Sequence, residues 1–159
     1  MARMMHKLKL TVNQQKTRVC RVPAESFDFL GYTLGQCYRV KTGKAYIGTR
    51  PSKKRMLRLF GTISKMTRHQ TRGRETEEVV GELNLVLKGW ANYFRLGSVS
   101  KAYRAVDRHT RNRLRRWLCR KHKVKGSGTC RYPVAYLHET LGLIRLTRFH
   151  TTLPWAKAS

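Results

Sequence analysis

Residues 101–125 read KAYRAVDRHTRNRLRRWLCRKHKVK, and two sets of residues within that stretch keep helical spacing. Tyr103, Val106, Leu114, Trp117 and Leu118 form an apolar seam. Lys101, Arg104, Arg108, Arg111 and Arg115 recur every three or four residues. At about 100° per residue these five occupy a stripe roughly 80° wide, away from the seam. One face of the predicted helix can therefore pack on a core while another presents a cationic ridge. Arg113, Arg116, Arg120, Lys121, Lys123 and Lys125 extend the charge, and no acid occurs between Asp107 and Glu139. A solvated helix ordinarily mixes signs at i, i+4, and apart from Asp107 with Arg111 this one does not. Arginine predominates; its planar fork binds phosphate through two donors and stacks on bases.

Two more amphipathic helices are predicted upstream. Pro51 suits a first helical position, and Met56, Leu59, Phe60, Ile63 and Met66 then repeat at helical spacing. Thr67–Arg74 is basic and contains glycine, and is expected to be an exposed loop. Thr76 is expected to cap the second helix, with Glu77, Glu78 and Glu82 near the positive end of its dipole. Its seam runs Val79, Leu83, Leu87, Trp90, Phe94, and Gly97 is expected to stop it. Ser98 or Ser100 starts the third helix. Gly126-Ser-Gly128 breaks the chain, and a short helix at Pro133–Leu141 and a tail through Leu153-Pro-Trp155 follow. No internal repeat is present. Short links between amphipathic helices predict a small antiparallel bundle.

Residues 7–50 read instead as strands and turns. Lys7–Val12 and Thr17–Val22 alternate polar and apolar residues around a polar turn at Asn13–Lys16. The apolar run Phe27–Leu34 and the β-prone Ala45–Gly48 flank Cys37–Lys44, where Thr42-Gly43 signals a turn; a β-hairpin is the simplest reading. Gly31 marks either a close approach by another backbone or ligand, or a bulge or twist. The predicted fold is mostly α with a small β portion. An N-terminal β-hairpin region (1–50) precedes a three-helix antiparallel bundle with a short C-terminal helix (51–159).

Composition narrows the partner. The 159 residues are 40% hydrophobic, enough for one modest core. They carry 35 Lys and Arg against 8 Asp and Glu, a net charge of +27, which suits a polyanionic partner. No run of 18 apolar residues could span a bilayer, and surface binding would need the apolar seam that the bundle requires. No membrane partner is expected. Met1–Leu10 has no signal-peptide core, so a cytoplasmic location is expected. Cys20, Cys37, Cys119 and Cys130 form no C-x-x-C pair, and Cys119, His122 and Cys130 lack a usual zinc spacing; reduced thiols and no metal are expected. Trp90, Tyr93, Phe94, Tyr103 and Trp117 sit at core spacings, leaving Tyr38, Tyr46 and Tyr132 as candidates for stacking on bases. None of this separates DNA from RNA.

Catalytic chemistry is not evident. Nucleotidyl transfer uses two metals held by carboxylates, and the eight acids show no paired aspartates. Glu75, Glu77, Glu78 and Glu82 cluster where a helix dipole accounts for them. There is no Walker-type glycine loop and no G-x-S-x-G nucleophile motif. Neither an independent enzyme nor a cofactor is expected.

Several stretches resemble the C-terminal part of group II intron reverse transcriptases, or maturases. Leu10-Thr-Val-Asn13-Gln-Gln-Lys16-Thr17 and Phe29-Leu30-Gly31-Tyr32 look like the end of the palm. Gly89-Trp90-Ala91-Asn92-Tyr93-Phe94, preceded by Leu87-Lys88, looks like the signature of the maturase-specific domain, also called domain X or thumb. Arg113-Leu114-Arg-Arg-Trp117, Lys121-His122 and Trp155-Ala-Lys-Ala158 fit the same pattern. The resemblance implies a palm remnant at 1–50 and a thumb at 51–159 that binds intron RNA and assists its folding for splicing. It places Phe29, Leu30 and Gly31 in a primer-grip-like hairpin and gives Lys16 the place of a palm lysine near the leaving pyrophosphate. The Tyr-Ala-Asp-Asp box, the fingers and an HNH nuclease module are not in this sequence, so polymerase and nuclease activities are not carried over. The RNA-binding candidates are Lys53, Lys54, Lys101, Arg104, Arg108, Arg111, Arg115, Arg116, Arg120 and Lys121. Expected partners are group II intron or other structured RNA and a separate reverse transcriptase fragment. The alternatives are an inactive remnant that binds nucleic acid nonspecifically and a helix-turn-helix DNA-binding regulator; the latter suits the charge but not the signature.

Overall fold

The computed structural model describes residues 20–39 and 42–149. The expected strand at Lys7–Val12, the turn at Asn13–Lys16 with its Lys16, Thr17–Val19 and the Leu153–Trp155 tail lie outside them.

The apolar run at Phe27–Leu34 is not one strand. Leu30 (φ 48°) and Gly31 (φ 85°) both lie at positive φ, as a primed two-residue hairpin turn requires. They divide the run into β1 (Phe27–Phe29) and β2 (Tyr32–Tyr38). β3 (Ala45–Pro51) pairs with β2 across the expected turn, so the hairpin is present and gains a third strand, in the antiparallel order β1-β2-β3. Gly31 is thus a turn residue and also a point of close approach, because a Cβ there would lie 2.9 Å from Arg55 Nε. Cys20–Val22, read as the end of a strand, has no strand pairing.

Pro51 closes β3 rather than opening a helix. The cap is Ser52, whose Oγ accepts from the Arg55 N–H at 3.4 Å and so satisfies one of the amides left over at a helix start. Helix α1 then runs Lys53–Met66. Thr67–Arg74 is largely exposed, as expected, but it is not a plain loop. Thr67 is buried, and His69–Gly73 winds into a 3-10 helix held to the core by Trp117, whose Nε1 donates to Thr71 Oγ1 at 3.2 Å. Helix α2 is Thr76–Tyr93. Thr76 is its first helical residue, buried, while Glu75 takes the cap position, so the expected Thr76 cap is displaced by one residue. The helix also ends before Gly97. Gly97 (φ 78°) instead lies against the β3 backbone, with the Ser98 N–H donating to Thr49 O at 2.8 Å, and a Cβ there would overlap Thr49. Helix α3 spans Ser100–Lys121, with Val99 in the cap position.

The chain beyond α3 is more structured than one short helix. Tyr136–Thr140 is wound as a π-helix, the Leu141 N–H reaching Tyr136 O at 3.1 Å, and a single-turn helix α4 follows at Leu146–Phe149. Two polar side chains hold this segment. Asn84 on α2 donates to Gly142 O at 2.9 Å and accepts from Ile144 N–H at 3.0 Å. Asp107 on α3, only 7% exposed, accepts from the amides of Leu146 (3.0 Å) and Thr147 (3.2 Å) and from Thr147 Oγ1 (3.0 Å).

One core joins these parts. Leu59 and Ile63 of α1, Val79, Leu83 and Leu87 of α2, and all five seam residues of α3 meet Leu137, Leu143 and Leu146 from the C-terminal segment. Two aromatic assignments change. Tyr93 is 53% exposed rather than core, and Tyr132 is 5% exposed and no stacking platform. Trp90 is half-buried, its ring 4.8 Å from Phe94 and 5.9 Å from Tyr103.

Trp117→Ala should lower stability by about 3–5 kcal/mol, the cost of emptying a buried aromatic site, read by chemical denaturation followed by circular dichroism. Asp107→Ala should cost about 1–3 kcal/mol, since it leaves the buried Leu146 amide unsatisfied. Its specific mark is faster hydrogen exchange at Leu146 and Thr147, while Leu83 and Leu87 stay protected.

Candidate nucleic-acid interface

The α3 pattern that buries Tyr103, Val106, Leu114, Trp117 and Leu118 turns the ridge outward. Lys101, Arg104 and Arg108 are exposed, and Arg111 and Arg115 are half-buried along the same line. Arg104 is steadied by its own helix, Nε donating to Ser100 O at 3.3 Å. Arg104, Arg108 and Arg111 border a small hollow beside Asp107 and Thr147. The Asp107 oxygens are taken up by the start of α4.

Past Arg111 the ridge opens into a cleft. Helix α3 ends in a Schellman arrangement: Lys123 sits at φ 53°, and the Val124 N–H reaches back to Cys119 O at 2.8 Å. This turns residues 123–129 back over the helix, and Gly128 (φ 69°) lies so near Cys119 Sγ that a Cβ would overlap it. Arg115 ties the returning chain, its Nε donating to Tyr132 O at 2.9 Å. Between loop and helix lies a cleft of about 740 Å³, walled by Arg115, Arg116, Arg120 and Lys123.

Other cations lie apart from the ridge. Arg113, counted with the basic surface, closes the C-terminal end of α1: Nη2 donates to Ser64 O (2.8 Å) and Thr67 O (3.1 Å), and Nε to Thr67 Oγ1 (3.1 Å). A cation there complements the carbonyl end of the helix dipole. Burial and the neighbouring Arg120, Arg116 and Arg68 lower its pKa. Lys121 is half-buried, bonded to Arg74 O with its ammonium 5.4 Å from the Trp117 ring centre. Lys53 and Lys54 are exposed at the start of α1, apart from the α3 ridge in sequence, and Lys54 borders a recess with Arg55, Arg58 and Gly31.

The acidic cluster at the start of α2 is partly neutralised. The Arg74 guanidinium forks between Glu78 (2.6 Å) and Glu82 (2.7 Å), and that hydrogen bonding holds the Glu82 carboxyl below its usual range. Among the described residues no three His, Cys, Asp or Glu side chains converge as a metal site would need.

The two motifs carried by resemblance meet in space. Tyr32, next to the Phe29-Leu30-Gly31 turn, donates its OH to Tyr93 O at 2.6 Å, and the Tyr93 OH donates to Leu30 O at 2.6 Å. Tyr103 from α3 donates to Phe94 O at 2.9 Å. Gly89–Phe94 is therefore the joint where hairpin, α2 and α3 come together. Phe29 and Leu30 remain 60% and 67% exposed at its edge.

The fold and the site define a small helical domain with one strongly cationic face. Residues 56–133 match the family model of the group II intron, maturase-specific domain, which supports a maturase domain in this chain. The match takes in α1 from Met56 onward, α2, α3 and the cleft loop, and begins after the sheet. A search of curated proteins finds no match. No helix among the described residues is long and apolar enough to cross a membrane.

Two histidines give the domain a pH signature. His109, bonded to Ser64 Oγ at 3.2 Å and stacked on Phe60, has its pKa lowered chiefly by burial and further by Arg113 and Arg116. His138 is lowered chiefly by burial too, with Arg145 and Arg111 adding to it, against the bond to Leu143 O. The unfolded chain, with a His pKa of about 6.5, binds these protons more tightly. The stability they confer is full above that value and is lost as pH falls through the folded-state pKa values. The urea midpoint should therefore fall between about pH 7.5 and about pH 5, and His109→Gln should flatten that fall.

Proposed function

We propose that this protein is an RNA-binding maturase domain that helps a group II intron RNA fold for splicing and has no polymerase site of its own. The observation that carries the reading is the α3 face: a line of cations whose one neighbouring acid, Asp107, is taken up by the start of α4, on a helix whose other face is core, inside the stretch matching the maturase-specific family. Splicing chemistry belongs to the RNA. The protein lowers the cost of compacting it by neutralising phosphates and holding irregular elements. In this reading residues 1–50 are the end of a reverse transcriptase palm, as the resemblance at Leu10–Thr17 and Phe29–Tyr32 implies. The partners are intron RNA and a separate reverse transcriptase fragment, met in the cytoplasm.

The test is a titration against a cognate structured intron RNA and an unrelated duplex at about 150 mM salt, since specificity has meaning only at fixed salt. The intron RNA should bind more tightly. The log–log salt slope should be about −4 to −9 for roughly six to ten neutralised phosphates. Equal affinities would leave a nonspecific remnant; a slope near zero would remove nucleic acid altogether. Replacing Lys101, Arg104, Arg108 and Arg116 with Gln should reduce the slope by about one for each phosphate no longer neutralised, with helicity unchanged. Arg115 is kept, because its bond to Tyr132 O holds the loop.

A further inference from the structure

We infer that the cleft at the end of α3 is a site for one unpaired, extruded nucleotide of the bound RNA. The inference rests on the RNA-binding reading and adds what the ridge alone does not imply. A projecting helix face meets a groove or the outside of a duplex. A concave site walled on both sides admits only something that protrudes. The regular phosphates of an A-form helix do not protrude; a bulged or looped-out nucleotide does, and unpaired RNA elements are the ones whose bases can be splayed out and read.

The cleft suits that ligand in size and chemistry. At about 740 Å³ it lies within the roughly 300–1,000 Å³ range of small-ligand sites. Arg116, Arg120 and Lys123 are exposed at its wall and have no carboxylate partner among the described residues. Arginine forks and a lysine ammonium are the groups that hold the phosphates on either side of a flipped nucleotide. Val124 and Cys119 supply an apolar surface for a base. Ser127 and Thr129, whose hydroxyls lie 3.0 Å apart, and Asn112 supply donors and acceptors for a base edge or a 2′-hydroxyl. The loop is braced before RNA arrives by the helix-ending turn at Lys123, the Gly128–Cys119 approach and the Arg115–Tyr132 bond. A preformed site reduces the ordering cost of binding. Extruding an already unpaired nucleotide costs less than breaking a pair.

The experiment compares two RNA hairpins of equal length at about 150 mM salt, one fully paired and one with a single bulged nucleotide, against the full chain. The bulged nucleotide is replaced by 2-aminopurine to report unstacking. The bulged hairpin should bind about tenfold more tightly, the scale of one charge-assisted hydrogen bond, and its fluorescence should rise on binding. The triple change Arg116→Gln, Arg120→Gln, Lys123→Gln should abolish the preference and the fluorescence rise. The ridge variant Arg104→Gln, Arg108→Gln should weaken both hairpins alike and keep their ratio. Circular dichroism confirms that each variant is folded. Equal binding of both hairpins, or a preference that survives the triple change, overturns the nucleotide site while leaving RNA binding in place. Salt-insensitive or absent binding of both overturns the nucleotide site and the RNA-binding reading together.

Discussion

Burial of one side of α3 is the constraint on which the structure depends. Tyr103, Val106, Leu114, Trp117 and Leu118 are the residues through which α1, α2, the 3-10 helix and the C-terminal segment share a core. A chain of net charge +27 cannot close over its own cations, since each buried charge without a partner is costly. Once the seam is inside, the intervening Lys and Arg are forced to the surface on a single line. The cationic face and the core are thus two consequences of one periodic pattern.

Not every cation on α3 is left for a ligand. Arg113 falls seven residues after Val106 and four before Trp117, and Lys121 four after Trp117, so both lie on the seam side. Each reaches carbonyl oxygens at the edge of the core, Arg113 at the end of α1 and Lys121 at Arg74. Asp107, four after Tyr103 and seven before Leu114, is the acidic counterpart and holds α4. Polar residues at seam positions therefore fasten neighbouring segments. Those at flank positions, such as Arg104, Arg108 and Arg116, remain exposed.

That division marks how far the sequence is legible. The helical seams are readable because apolar spacing persists over several turns, and every predicted α3 seam residue is buried. The displacement of Arg113 and Lys121 from the basic surface is also readable, since their spacing already puts them on the seam. Their partners, Thr67 and Arg74, are not, because they lie more than 40 residues away in sequence. The Leu30-Gly31 turn escapes a sequence reading because leucine at positive φ is unexpected turn chemistry. The cleft is invisible for a different reason. Its wall needs the loop after Lys123 to fold back onto Cys119, a tertiary contact that no helical wheel contains.

The signature stretch also takes on a structural meaning. Were Gly89–Phe94 a contact surface for a ligand, its polar atoms would point outward. Instead Tyr93 reaches Leu30 O, Tyr32 reaches Tyr93 O, and Phe94 O receives Tyr103. These bonds fix the end of α2 against both the hairpin and the start of α3. The direction in which α3 leaves that joint sets where its cationic line and the cleft beyond it stand relative to the sheet. Asn92 is exposed and, among the described residues, accepts only from the neighbouring Arg95 at 2.9 Å, and Gly89 is exposed with open space where a Cβ would lie. No packing reason within the described residues accounts for a glycine at that position. The signature thus holds the scaffold, and the line of exposed cations lies further along the chain, from Lys101 to Lys123.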